Sequence, residues 1–145
     1  MSDFSSSTIT VDAPLETVQQ ALFDLEKYPE WSSSIKSVEA IARDDQGRIT
    51  KVKMVIDAGM MKDRVILDYD WSGAPGKLSF SLDDADLLTG MDGAYTIKSL
   101  DEDSTSITYE LTVSLSISIP AMMRQKAEKT TIDQALAQLK ASLET

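Results

Sequence analysis

Along the chain, the spacing of apolar residues changes twice, and those changes predict the fold. Ile9 and Val11 share one face of a short N-terminal strand. Asp12 then stands where an N-cap carboxylate belongs, with Pro14 and Glu16 in the following turn. Leu15, Val18, Leu22 and Leu25 recur at intervals of 3, 4 and 3 residues, the stripe of an amphipathic helix. Pro29 disfavours helical geometry at Tyr28, so this helix should end near Lys27, and Pro29-Glu30-Trp31 can open a second, very short one. From Ser37 to Ile119 the period becomes two. Val52, Met54 and Ile56 alternate with Lys51, Lys53 and Asp57; Val65, Leu67, Tyr69 and Trp71 alternate with Arg64, Asp68 and Asp70, with Ile66 the apolar exception; Leu78, Phe80 and Leu82 alternate with Lys77, Ser79 and Ser81. The alternation from Ile107 through Tyr109, Leu111, Val113, Leu115 and Ile117 to Ile119 is unbroken. One buried face and one wet face indicate an antiparallel sheet covered on one side.

The intervals between these runs carry turn residues: Asp44-Asp45-Gln46-Gly47, Ala58-Gly59, Ser72-Gly73-Ala74-Pro75-Gly76, Thr89-Gly90 with Asp92-Gly93, and Asp101-Glu102-Asp103-Ser104. After Pro120 the helical period returns, with Ile132, Ala135, Leu136, Leu139 and Leu143 in one stripe. The expected architecture is α+β, with a curved antiparallel sheet of about seven strands around a long C-terminal helix, the one element long enough to cover it. Two short helices follow the first strand. No repeat, linker or low-complexity tract divides the chain, so residues 1–145 are expected to form one domain.

Composition narrows the chemistry. The 145 residues include no histidine and no cysteine, which excludes imidazole bases, thiolate catalysis, disulfides and His- or Cys-ligated metals. A net charge of −10 with no local basic patch argues against nucleic acid as a partner. The N-terminus lacks the basic and apolar regions of a signal peptide, and no apolar run approaches a membrane span, so a cytoplasmic protein that is not membrane-integral is expected. Asp44-Asp45, Asp83-Asp84-Asp86 and Asp101-Glu102-Asp103 lack EF-hand spacing and read as solvated turns; no metal and no cofactor are expected.

Four segments together carry a resemblance: ITVDAPLETVQQALFDLEKYPEW, DAG…KDRVILDYDW, DGAYTI and RQKAEKTTIDQALAQLK. Over nearly the whole chain the sequence resembles the polyketide cyclase/dehydrase group of the START and pollen-allergen superfamily (SRPBCC). Within that group it is similar to small stand-alone bacterial members grouped with coenzyme Q-binding proteins. The resemblance implies a helix-grip fold with an apolar cavity between sheet and terminal helix. Members hold lipids, sterols, quinones, plant hormones or polyketide chains there, and a minority are enzymes.

On that expectation the inward rings Tyr69, Trp71, Phe80, Tyr95 and Tyr109, joined by Trp31, are candidate cavity lining as well as candidate core. Met54, Ile56, Leu82 and Leu111 share their parity. Met60 and Met61 sit at the Gly59 turn, and Met123 at the start of the terminal helix, where adaptable side chains suit a mouth. Ala127, Thr130 and Thr131 are small where a packed helix would carry Leu or Ile, and Ala127 and Thr131 join the candidate set. Arg64 lies on outward parity. Asp57 and Asp63 fit either a cavity mouth or a solvated hairpin end, and Arg124, Lys126 and Glu128 read as solvated charge. No catalytic residue is assigned. The leading expectation is binding or transport of a hydrophobic small molecule, a lipid, isoprenoid quinone or polyketide-like compound. The alternatives are a metal-independent cyclase or dehydratase, and a protein-interaction module whose cavity is filled.

Overall fold

The computed structural model describes residues 4–57, 62–116 and 119–144. Strand β1 (Ser5–Val11) leads into α1 (Leu15–Phe23), a single 3-10 turn (Leu25–Lys27) and α2 (Tyr28–Trp31). Six strands follow: β2 (Ile35–Arg43), β3 (Ile49–Asp57), β4 (Lys62–Asp70), β5 (Lys77–Ala85), β6 (Leu88–Asp101) and β7 (Ser104–Leu115). Helix α3 (Ala121–Leu143) closes the chain. The seven strands form one sheet in the order β1-β7-β6-β5-β4-β3-β2, antiparallel throughout, so the first strand lies beside the last. This is the sheet-and-terminal-helix architecture expected from the periodicity, and the helix grip that the resemblance implies. No helix among the described residues is long and apolar enough to cross a membrane.

Register explains how the inner face is built. Tyr69, Phe80, Gly93 and Leu111 lie opposite one another across β4, β5, β6 and β7. Gly93 is required there by the Phe80 ring: a Cβ at that position would stand 2.3 Å from Phe80 Cζ. Val52, Val65, Leu67, Ile107 and Leu111 bury fully against Ile132, Leu136 and Leu139 of α3 and Val18 and Leu22 of α1. At the β2–β3 turn, the Asp44 carboxylate accepts the N–H groups of Gln46 and Arg48, and Gly47 takes φ of +82°, which its missing Cβ permits.

The two sheet edges are finished differently. Beside β1, Lys129 Nζ donates to the Ser6 carbonyl at 2.7 Å and Lys140 Nζ to the Thr10 carbonyl at 2.8 Å. At the other edge, the pairing of β2 with β3 shifts register between Ile35 and Ser37, Ala40 and Ala42, and Ala42 and Arg43.

Several local expectations are corrected. Helix α1 has Pro14 at its N-cap and no side-chain cap; the Asp12 N–H instead donates to Oε2 of Glu144, the residue after α3, at 2.8 Å. Tyr28 is helical (φ −53°, ψ −39°) despite the following Pro29. It is 2% exposed, and its hydroxyl donates to the Leu22 carbonyl at 2.5 Å, an anchor that outweighs the local preference. The break falls instead at Asp24. Gly90 and Asp92-Gly93 lie inside β6, not at a turn. The reversal before β6 is held by Asp63, whose buried carboxylate accepts the N–H groups of Arg64, Asp86, Leu87 and Leu88 at 2.8 to 3.2 Å. Asp63 is thus neither mouth nor solvated hairpin end. β7 stops at Leu115, short of Ile119; Ile117 lies outside the described residues.

Candidate ligand cavity

Upstream of the Leu-rich half of α3, the helix carries Ala127, Thr130 and Thr131, and space opens between it and the sheet. The resulting cavity has a volume of about 120 Å³. Ile56 of β3, Met91 and Tyr95 of β6, and Tyr109, Leu111 and Val113 of β7 form its sheet wall. Ala127, Glu128, Thr130, Thr131, Gln134 and Ala135 form the helix wall, and Trp31, Ser32, Ser34 and Ile35 close one side. Thr131 Oγ1 is used within the helix, donating to the Ala127 carbonyl at 2.9 Å.

Tyr95 and Tyr109 face each other across the β6–β7 pair with ring centroids 4.1 Å apart and nearly parallel planes. Burial pushes both phenols above their ordinary pKa; neighbouring tyrosines push Tyr95 further, while a hydrogen bond with Tyr95 partly offsets the rise at Tyr109. Burial also raises Tyr28 and Tyr69, so all four tyrosines of the chain stay protonated donors well past neutrality. Trp31 packs on Tyr28 with centroids 5.0 Å apart. Its Nε1 is buried without a hydrogen-bond partner among the described residues.

Glu128 corrects the expectation of solvated charge. It is 1% exposed. Its Oε1 accepts from Ser5 Oγ at 2.7 Å, and its Oε2 from the Val113 N–H at 2.7 Å and from Arg124 Nη1 at 2.8 Å. Val113 lies beyond Ser5↔Leu111, the last pair described between β1 and β7, and the carboxylate accepts its N–H there. Arg124 also donates to Thr112 Oγ1 at 3.2 Å and is half-buried, whereas Lys126 is exposed.

Of the residues singled out in the sequence, the cavity brings together Trp31, Ile56, Tyr95, Tyr109, Leu111, Ala127 and Thr131. Met54, Tyr69, Phe80 and Leu82 belong to the packed interior instead; Tyr69 and Phe80 lie against each other at 5.4 Å. Met123 is 62% exposed on the first turn of α3. Met60 and Met61 lie outside the described residues. Trp71 sits at the opposite end of the curved sheet, donating from Nε1 to the Ile49 carbonyl at 2.7 Å, edge-on to Phe23 and under the Arg48 guanidinium. There it borders an open groove of about 680 Å³. That groove is the larger space, but its charged rim is engaged in ion pairs, Arg43 with Glu26 and Arg48 with Asp44. Parity assigns a strand residue to a face but not to a position along it, which is why the inward rings divide between cavity and core. Thr130, Gln134 and Ala135 follow from Ala127 and Thr131 by helical spacing, and Val113 with its opposite Met91 follows from Leu111. Nothing local marks Ser32, Ser34 or Ile35.

Among the described residues no three acidic side chains converge on a metal position. The acidic runs act within turns or ion pairs: Asp83 with Lys51, Asp86 with Arg64, and Asp101 accepting the Asp103 N–H.

The fold recurs among solved structures. A START superfamily protein from Mycobacterium smegmatis superposes with a TM-score of 0.92 at 24% identity, covering 97% of this chain and 96% of that one. A protein from Thermus thermophilus gives 0.81 at 20% identity, covering 97% and 96%. The Zhui aromatase/cyclase from a Streptomyces species gives 0.72 at 14% identity, covering 97% and 90%. At these identities the likeness speaks for the fold alone. No curated protein sequence matches the chain. Residues 11–140, however, match the family described as polyketide cyclase / dehydrase and lipid transport, and the chain belongs to that family.

Proposed function

We propose that the protein binds a compact hydrophobic molecule in the cavity between β6, β7 and the first half of α3. The observation that carries this reading is the wall itself. Apolar and aromatic side chains line a space left by small helix residues, next to a helix half that is otherwise fully packed. Size then limits the guest. A cavity of ~150 Å³ accommodates a benzene ring, and drug-sized ligands occupy roughly 300–1,000 Å³. The 120 Å³ here suits one ring or a short chain segment. A whole quinone, lipid or polyketide requires the first half of α3 to move outward. Binding is sequestration: apolar ligand surface leaves water at about 25 cal/mol per Å², so ~200 Å² contributes on the order of 5 kcal/mol before association costs. Glu128, the one carboxylate in the wall among the described residues, is engaged by three donors, which favours binding over proton transfer as its setting.

Native mass spectrometry of protein purified from its own host, with organic extraction of co-purifying material, tests the reading. The expected result is an apolar adduct that leaves on denaturation and is lost in Ala127→Leu, which fills the cavity. An apo mass for both proteins, with no uptake of one-ring hydrophobic compounds by either, overturns it.

A further inference from the structure

We infer that Trp31 is a specificity residue: the cavity selects an uncharged ligand whose oxygen accepts a hydrogen bond from Trp31 Nε1, and it rejects carboxylates. The inference rests on the cavity-binding reading above and adds a class of ligand to it. Buried N–H groups in folded proteins nearly always have an acceptor, and one left without it calls for a ligand or water. Among the described residues, Trp31 Nε1 is the buried side-chain nitrogen or oxygen in that condition. The chain's other indole shows the contrast, since Trp71 Nε1 donates to the Ile49 carbonyl at 2.7 Å. Trp31 belongs to the cavity wall, and its ring is held by packing on Tyr28, itself tied to the Leu22 carbonyl. Nε1 is itself fully buried, so a ligand oxygen reaches it only with a small turn of the indole at the cavity wall.

The rest of the wall fixes the charge of the guest. Among the described residues it contains no lysine and no arginine, and its one charged group is the Glu128 carboxylate, whose Arg124 partner is outside the lining. A ligand carboxylate would be buried without a cation and near a like charge, which is strongly unfavourable. A ketone, quinone or ether oxygen needs only a donor, and Trp31 supplies it.

Three one-ring probes of nearly equal shape separate the possibilities: acetophenone, α-methylstyrene (a methylene in place of the carbonyl oxygen) and benzoate. Each is titrated into the full chain at neutral pH while the indole N–H signals are followed by NMR. The two tryptophans give two signals, assigned with Trp31→Phe or, should that variant fail to fold, with Trp71→Phe. The expected result is a saturable downfield shift of the Trp31 signal with acetophenone, and a Trp71 signal that stays in place. Acetophenone should bind on the order of tenfold more tightly than α-methylstyrene, and benzoate should not bind. Trp31→Phe should erase the preference while still accepting α-methylstyrene. Equal affinity for acetophenone and α-methylstyrene, an unmoved Trp31 signal at saturation, or tight binding of benzoate overturns the inference and leaves the cavity reading standing. Absence of shifts at cavity residues with all three probes removes the cavity reading and this inference with it.

Discussion

Replacing Gly93 by alanine sets two opposing effects against each other, and the geometry decides the sign. By backbone preference alone the change should help, because glycine in a strand interior costs roughly 0.5–1 kcal/mol relative to alanine. The position tells otherwise. The new Cβ would stand 2.3 Å from Phe80 Cζ, 2.9 Å from Phe80 Cε2 and 3.0 Å from the Glu110 carbonyl oxygen. Carbon atoms pack comfortably at about 3.5–4.0 Å, so the ring must retreat by more than ~1 Å. Phe80 has little room to do so: it is 6% exposed and lies 5.4 Å from the Tyr69 ring. Overpacking of this kind costs about 1–3 kcal/mol, which exceeds the backbone gain at all but its lower end. The net expectation for Gly93→Ala is a loss of about 1–2 kcal/mol, seen as a lower urea midpoint at unchanged m-value and a melting temperature reduced by roughly 3–8 °C. Phe80→Leu removes the atoms that clash, so the double variant should lose less than the sum of the singles by on the order of 1 kcal/mol. A Gly93→Ala protein as stable as the parent, or additive singles, would refute the argument that the ring demands glycine.

Glu128→Gln should cost about 2–4 kcal/mol in thermal unfolding, because Arg124 loses its ion-pair partner and one amide cannot replace both carboxylate oxygens as acceptors; a loss under ~0.5 kcal/mol would show the network to be dispensable. Asp63→Ala should leave the N–H groups of Leu87 and Leu88 without their acceptor and accelerate their hydrogen exchange ahead of the β4–β5 ladder. Uniform exchange across both would contradict the bracing role. The raised tyrosines make stability fall at alkaline pH: the folded chain retains protons that unfolded phenols release near pH ~10, so this contribution is whole below that value and lost as pH rises above it. Phenolate absorbance should therefore appear near pH ~10 in urea but later in the folded protein, and coincident titrations would refute the shift.

Much of the architecture is legible because the sheet has one buried face. Alternation along β3, β4, β5 and β7 declares which side is inward, and the strand count follows from the breaks. The misreadings share a cause: polar and glycine residues serving tertiary roles imitate turn signals. Gly93 looks like a loop residue but clears space for Phe80, and Asp63 resembles a hairpin end but holds a loop more than twenty residues away in sequence. Glu128 looks solvated because nothing in α3 itself indicates that Ser5 and the Val113 N–H will surround it. The cavity is legible where a single element carries the information, as in Ala127 and Thr131. It is hidden where several elements contribute, as at Ser32, Ser34 and Ile35.

An open sheet has two borders at which a foreign strand can add, and a chain this rich in β structure must keep both from recruiting copies of itself. Along β1 the solution is electrostatic. The ammonium groups of Lys129 and Lys140 occupy carbonyls that an incoming strand would need, so the edge can be copied only by breaking those bonds and displacing two charges. Along β2 the solution is geometric, since repeated register shifts against β3 leave no long, regular row of donors and acceptors to match. With a net charge of −10 adding mutual repulsion between molecules, resistance to fibril-like association is written into the borders of the sheet. Neutralising Lys129 and Lys140 would open the β1 border alone to an added strand while sparing the core.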